Sequence, residues 1–283
     1  MNTLGTEIQE QHLDNLKGVQ IYHGDCLEKM KDIPDGSIDM VLCDLPYSVL
    51  NKSNPNAQWD RCLPMDNLWK EYKRVVKKKG AIILFASGMF TAQIMMSNPR
   101  KWRYNLIWKK GNRPSGFLNA KKMPLRNHED ICVFYDKLPT YNPQMWKGQM
   151  VHGRKNASRI NRCYGDFKGK DVVMTDMKYP ISVIDIPKEH TKGKFFHPTQ
   201  KPVALCEYLI KTYSNEGDTI LDNCAGSFST GVACVNTKRK FIGIELDEKL
   251  CEIGKKRMME AIDSTKTLFD NNIEKYEEIC IMV

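Results

Sequence analysis

Asp44-Leu-Pro-Tyr47 follows the apolar run Val41-Leu-Cys43 and combines groups that could hold an amine. The Asp44 carboxylate can accept one proton of an NH2 group, and the Leu45 carbonyl can accept the other. Pro46 stiffens the turn, and Tyr47 offers a ring on which a planar heterocycle can stack. Together they would aim the lone pair of an exocyclic amine at an electrophile. A plain strand-to-loop turn could use the same four residues without any chemistry, so the rest of the chain has to decide.

A second constellation lies in "TILDNCAGSFSTGVACV" and "KFIGIEL". Asp222 leads into a turn containing Ala225, Gly226 and Ser227, a helix follows, and the next strand ends at Glu245, 23 residues after the first acid. This order describes a nucleoside cofactor site, in which the turn approaches by its backbone and the second acid receives the ribose hydroxyls. A dinucleotide is disfavoured, because Gly226 is the sole glycine of the turn before Gly231. ATP is disfavoured too, since G-x-x-x-x-G-K-[ST] is absent.

The elements that must position these groups alternate. "VQIYHGD" (19–25) and "SIDMVLCD" (37–44) read as strands, the second apolar on both faces, as in the interior of a parallel sheet. A helix is expected over 65–79, stopping at Gly80, with a buried strand at 81–87. Strands follow at 104–110 and 130–136, while 111–128 and 138–195 read as loops or an irregular insertion. A helix within 197–214 with Pro202 in its first turn, strands at 218–222 and 240–246, a helix at 229–237 and a last helix of about 15 residues capped by Asp247 complete the pattern. The alternation predicts a three-layer, mostly parallel α/β sheet with an irregular basic insertion. Asp25, Asp44, Asp222 and Glu245 each fall at or next to a strand's carboxyl end, the edge at which such sheets bind ligands.

The net charge of +9 is concentrated: residues 101–170 hold 16 Lys and Arg against 4 Asp and Glu. Trp102, Trp108, Phe117, Tyr141, Trp146 and Tyr164 are interleaved with those cations, as a surface for phosphates and stacked bases requires. The ten cysteines include no C-x-x-C pair, which reads as reduced thiols and no metal site. No Pro-Cys dipeptide offers the nucleophile of a carbon-5 pyrimidine methylase. No apolar run nears the roughly 20 residues that span a bilayer, and the polar N-terminus lacks a signal peptide's pattern, so a cytoplasmic protein is expected. His128 and His197 read as structural residues.

The chain resembles the amino-directed DNA methyltransferases of the permuted β class, in which a D-P-P-Y block precedes the S-adenosylmethionine block. The resemblance is carried by "GDCLEKMKDIPDGSIDMVLCDLPY", "RNHEDICVFYDK", "HPTQKPVALCEYLIKTYSNEGDTILDNCAGS" and "RKFIGIELDEKLCEIGKKRM", in the family's order. It implies a Rossmann-like methyltransferase fold with a catalytic half at 19–137, a target-recognition region at 138–195 and a cofactor half at 196–265. It assigns Asp44, Leu45, Pro46 and Tyr47 to a flipped base. Asp25 falls to the adenine of S-adenosylmethionine, Asp222, Ala225, Gly226 and Ser227 to its methionine part, Glu245 to its ribose, and Thr199 with Lys201 to its carboxylate end. The implied reaction is methylation of adenine N6 at a specific site in double-stranded DNA, Asp being the first residue typical of the adenine group. The alternatives are cytosine N4, a protein glutamine amide, or a catalytically impaired DNA-binding relative. The resemblance leaves room for a homodimer and a cognate restriction nuclease as partners. Two positions depart from the pattern: Leu45 replaces a proline, and Phe228 replaces a glycine, where a left-handed backbone would strain a residue with a side chain.

Overall fold

The computed structural model describes residues 18–48, 60–112, 114–151, 159–161, 165–167, 175–189 and 200–281, so Thr199 and His197 lie outside the described residues. In chain order the elements are β1 (Val19–His23), α1 (Cys26–Lys29), β2 (Ile38–Cys43), α2 (Met65–Val75), β3 (Val76–Ala86), α3 (Met89–Ser97), β4 (Trp102–Lys109), β5 (His128–Phe134), β6 (Trp146–Val151), β7 (Arg159–Asn161), β8 (Gly165–Phe167), β9 (Thr175–Lys178), β10 (Val183–Asp185), α4 (Val203–Tyr213), β11 (Thr219–Asp222), α5 (Ser229–Asn236), β12 (Lys240–Glu245) and α6 (Glu248–Ile281).

The chain divides into two compact units, Met1–Asn142 with Ser182–Val283, and Pro143–Ile181. The larger holds one sheet in the order β1-β12-β11-β2-β3-β5-β4-β10. The five strands from β1 to β3 are parallel neighbours, β5 runs antiparallel to β3 and β4, and β10 lies parallel to β4. This is the three-layer, mostly parallel architecture expected. Alternate side chains leave opposite faces of each strand. Met40, Leu42, Ile83 and Phe85 pack with residues of α4, α5 and α6. Val41, Cys43, Ile82 and Leu84 pack instead with residues of α1, α2 and α3.

The second unit pairs β6 with β9 and β7 with β8, both antiparallel. The Trp146 indole donates to the Tyr179 carbonyl at 3.1 Å.

Two expected boundaries move, and the span 138–195, expected as loops or an irregular insertion, holds the strands β6 to β10, the last of them in the main sheet. The helix expected over 65–79 ends at Val75, and Val76–Gly80 belongs to β3. The β-branched Val76 is extended, at φ -82 and ψ 133, and Gly80 is a point of close approach rather than a helix stop. A Cβ on it would lie 2.8 Å from the Asp39 carbonyl. The last helix, expected at about 15 residues, runs for 34.

Candidate active site

β1, β12, β11 and β2 are parallel neighbours, so their carboxyl ends form one edge. Along it stand Asp25, Glu245, Asp222 and Asp44, in that spatial order. Four acids spread over about 200 residues of sequence are collected because each ends an apolar strand where its backbone leaves the sheet.

At the β1 end, Asp25 caps α1, its Oδ1 accepting from Leu27 N at 2.8 Å and Glu28 N at 3.3 Å. Glu245 is tied to the glycine turn: Oε2 accepts from Gly226 N at 2.7 Å, and Oε1 from Asp247 N at 2.9 Å. Gly226 takes φ +52 and has open space where a Cβ would project, so a ligand can approach the backbone there. Ala225 and Ser227 are buried beneath it. Asp222 is also buried, and its Oδ1 accepts from Cys224 N at 3.2 Å. Burial pushes its carboxyl up to about 7, against the pull of hydrogen bonds from Thr230, Cys224 and Cys43. Tyr72 of α2 donates to Asn223 Oδ1 at 2.6 Å and braces the segment from below.

Phe228 follows this turn with φ 61 and ψ 32, the left-handed backbone that its position in the sequence pattern implies. Such a conformation costs on the order of 1–2 kcal/mol outside glycine. The ring is fully buried, edge-on to Phe241 at 6.1 Å. It has room because two neighbours are glycines: a Cβ on Gly254 would lie 2.0 Å from Phe228 Cδ2, and one on Gly243 2.8 Å from its Cε1. Burial of a phenylalanine contributes about 1.5–3 kcal/mol, which offsets the strain.

At the β2 end, Leu45 turns its side chain into the core. The buried Asp60 shapes the turn beyond Pro46, its Oδ1 accepting from Tyr47 N at 2.6 Å and Ser48 N at 2.9 Å. The Tyr47 ring stacks on Phe90 of α3 with centroids 4.5 Å apart, and its hydroxyl donates to Asp44 Oδ1 at 2.8 Å. Burial and the Asp44 charge push that hydroxyl well above the usual phenol range, so it remains a donor.

The other oxygen of Asp44, Oδ2, takes the ammonium of Lys201. Lys201 also lies 3.3 Å from Glu129 Oε2, and Glu129 Oε1 is 2.5 Å from Lys110 Nζ. The result is a row of alternating charge, Asp44, Lys201, Glu129, Lys110, with no net charge. Burial would strip Lys201 of its proton, but the two carboxylates hold its pKa above the ordinary lysine value. Burial lifts Asp44 above the usual carboxylate range, with Lys201 opposing. Burial would lift Glu129 as well, but Lys201 and Lys110 outweigh it and hold the group low. Lys201, expected near a cofactor carboxylate, thus has its ammonium on Asp44. Glu129, Lys110 and Asp60 were not read as site residues from the sequence. Glu129 had one signal, an acid at the head of an apolar strand in "RNHEDICVFYD"; Asp60 had none.

The fold and this edge define a class, an α/β protein whose acids gather at the carboxyl ends of β1, β12, β11 and β2. A protein family described as DNA methylase, covering the N6 and N4 types, matches residues 38–256. The chain belongs to this family. It is 30% identical over 248 residues to the "DNA adenine methyltransferase YhdJ" of Escherichia coli K12, covering 84% of this chain and 82% of that protein. The solved structure of the M1.HpyAVI–SAM complex is similar with a TM-score of 0.58 and 24% identity, over 85% of this chain and 98% of that one. The cytosine-N4-specific PvuII DNA methyltransferase is similar with a TM-score of 0.59 and 14% identity, over 87% and 92%.

Proposed function

We propose that this protein transfers a methyl group from S-adenosylmethionine to N6 of an adenine flipped out of double-stranded DNA. One observation carries the reading: Asp44, beside a stacking Tyr47, shares a sheet edge with the acid-and-glycine site built by Asp222, Gly226 and Glu245. The donor set suits the cofactor. Asp25 and Glu245 would hold the adenosine part, and the buried Asp222 with the open Gly226 turn would hold the amino-acid part. When bound, S-adenosylmethionine supplies an electrophilic methyl group.

The chain's residues do the rest by positioning. A base within a duplex cannot present its amine to this edge, so it must leave the stack at a cost of a few kcal/mol. Tyr47, braced by Phe90, receives the base on its ring. Asp44 and the Leu45 carbonyl accept the two amine protons and turn the nitrogen lone pair outward. Positive charge that develops on nitrogen is stabilised by the carboxylate already in place. Asp44 as the first residue of the motif and the adenine-specific name of the E. coli relative support adenine over cytosine N4.

The test is to incubate the protein with S-adenosylmethionine and mixed-sequence duplex DNA, digest to nucleosides and identify methylated bases by mass spectrometry. N6-methyladenine is expected. N4-methylcytosine would retain the mechanism and overturn the base, and no methylated nucleoside with cofactor bound would overturn the substrate.

A further inference from the structure

Residues 110–112 and 114–127 leave the sheet as a finger between β4 and β5. β4 runs parallel to β2 and β5 antiparallel to it, so the finger springs from the edge that carries Asp44. Its base is part of the charge row described above, through Lys110 and Glu129. Backbone pairing continues into it: Lys110 N donates to Asn127 O at 2.9 Å, Ser115 N to Arg126 O at 2.7 Å, and Arg126 N to Ser115 O at 3.0 Å. Gly116, at φ +91, turns the chain into a 3-10 helix at Phe117–Asn119. Asn119 N closes on Gly116 O at 2.9 Å, and Lys122 N on Asn119 O at 2.8 Å. The tip is hydrogen-bonded, yet Phe117 is 77% and Leu118 84% exposed.

Two adjacent, large apolar side chains held out to water on a structured turn have no folding purpose. Their surroundings select the partner. The sequence from 111 to 127 contains Arg113, Lys121, Lys122 and Arg126 and no acid, which suits a polyanion. We infer that this finger is the wedge of the enzyme: Lys121, Lys122 and Arg126 sit on phosphates while Phe117 and Leu118 enter the base stack and occupy the gap left by the flipped base. The inference rests on the DNA-methyltransferase reading and adds the element that opens the duplex. Apolar side chains inserted between base steps offset part of the cost of unstacking, so the extruded state is favoured before chemistry begins.

The experiment uses the full chain. The methylated site is first mapped by sequencing DNA modified by the wild type. Duplexes bearing that site are then made with 2-aminopurine next to the target, either fully matched or with an abasic position opposite the target. For the double variant Phe117→Ala/Leu118→Ala, turnover on the matched duplex is expected to fall roughly tenfold or more, with loss of the 2-aminopurine emission rise. On the abasic duplex, where extrusion costs little, turnover should return to within about threefold of wild type. Phe117→Trp should behave as wild type on both. A double variant that matches wild type on the matched duplex overturns the wedge, and so does an equal loss on both duplexes. A wild type that methylates no DNA overturns the wedge together with the reading beneath it.

Discussion

The Lys201 ammonium sits on Oδ2 of Asp44, 157 residues away in the chain, while the Tyr47 hydroxyl occupies Oδ1. Asp44 therefore has both oxygens oriented before any amine arrives, and each retains a lone pair for the substrate. Asp44→Ala should reduce methyl transfer by at least about a thousandfold, the scale of removing an essential electrostatic partner. Cofactor affinity, measured by calorimetry, should stay within about threefold, because the nucleoside groups are on other strands. Retained turnover would remove Asp44 from the reaction.

Lys201→Met leaves Asp44 and Glu129 as part-buried neighbours of like charge. Breaking a buried pair from one side costs about 3–5 kcal/mol, and the lower end applies here because Asp44 keeps some solvent exposure. Urea unfolding measures that loss. One of the two carboxylates must then hold its proton to higher pH, so the acid limb of the kcat/KM profile should move upward. An unshifted limb would make Lys201 a packing residue only.

Asp222, raised to about 7 by burial, links pH to stability. Its unfolded value is near 4, so between about 4 and 7 the unfolded state has given up a proton that the folded state retains. Stability of the cofactor-free protein should therefore fall as pH rises through that window and level off above it. If Asp222 holds the cofactor's ammonium, affinity should run the other way, rising up to about tenfold per pH unit toward 7 and then flattening. Thermal unfolding and calorimetry across about pH 5–8 measure the two trends, and Asp222→Asn should flatten both.

Phe228→Gly relieves a left-handed backbone and empties a buried ring site. Losing a buried phenylalanine costs about 3–5 kcal/mol and the relief returns about 1, so a net destabilisation of about 2–4 kcal/mol is expected. Gly254→Ala should destabilise as well, because its methyl group would overlap the Phe228 ring. Stability of Phe228→Gly at or above wild type would show that the ring contributes nothing.

Several features were legible in the sequence because they are local. Apolar runs at strand periodicity, each ended by an acid, set out β1, β2, β11 and β12 and placed Asp25, Asp44, Asp222 and Glu245 at their carboxyl ends. Asp247 was readable as a cap, and its Oδ1 accepts from Leu250 N at 3.1 Å. The positive φ at Phe228 was suggested by the family resemblance, whose turn has glycine at that position. Local signals failed where two conformations share a composition: Val75-Val76 followed by lysines suits a helix end as well as a strand start.

The sequence by itself determined the order of the chemical groups and the strands that end in them, since backbone periodicity and turn chemistry act over a few residues. Only the tertiary structure decided that Lys201 would reach Asp44, that Glu129 and Lys110 would extend the row, and that Gly243 and Gly254 would make room for Phe228. These pairings depend on which strands become neighbours and in which direction β5 runs. That choice is made by burial of the whole sheet, and no spacing along the chain records it.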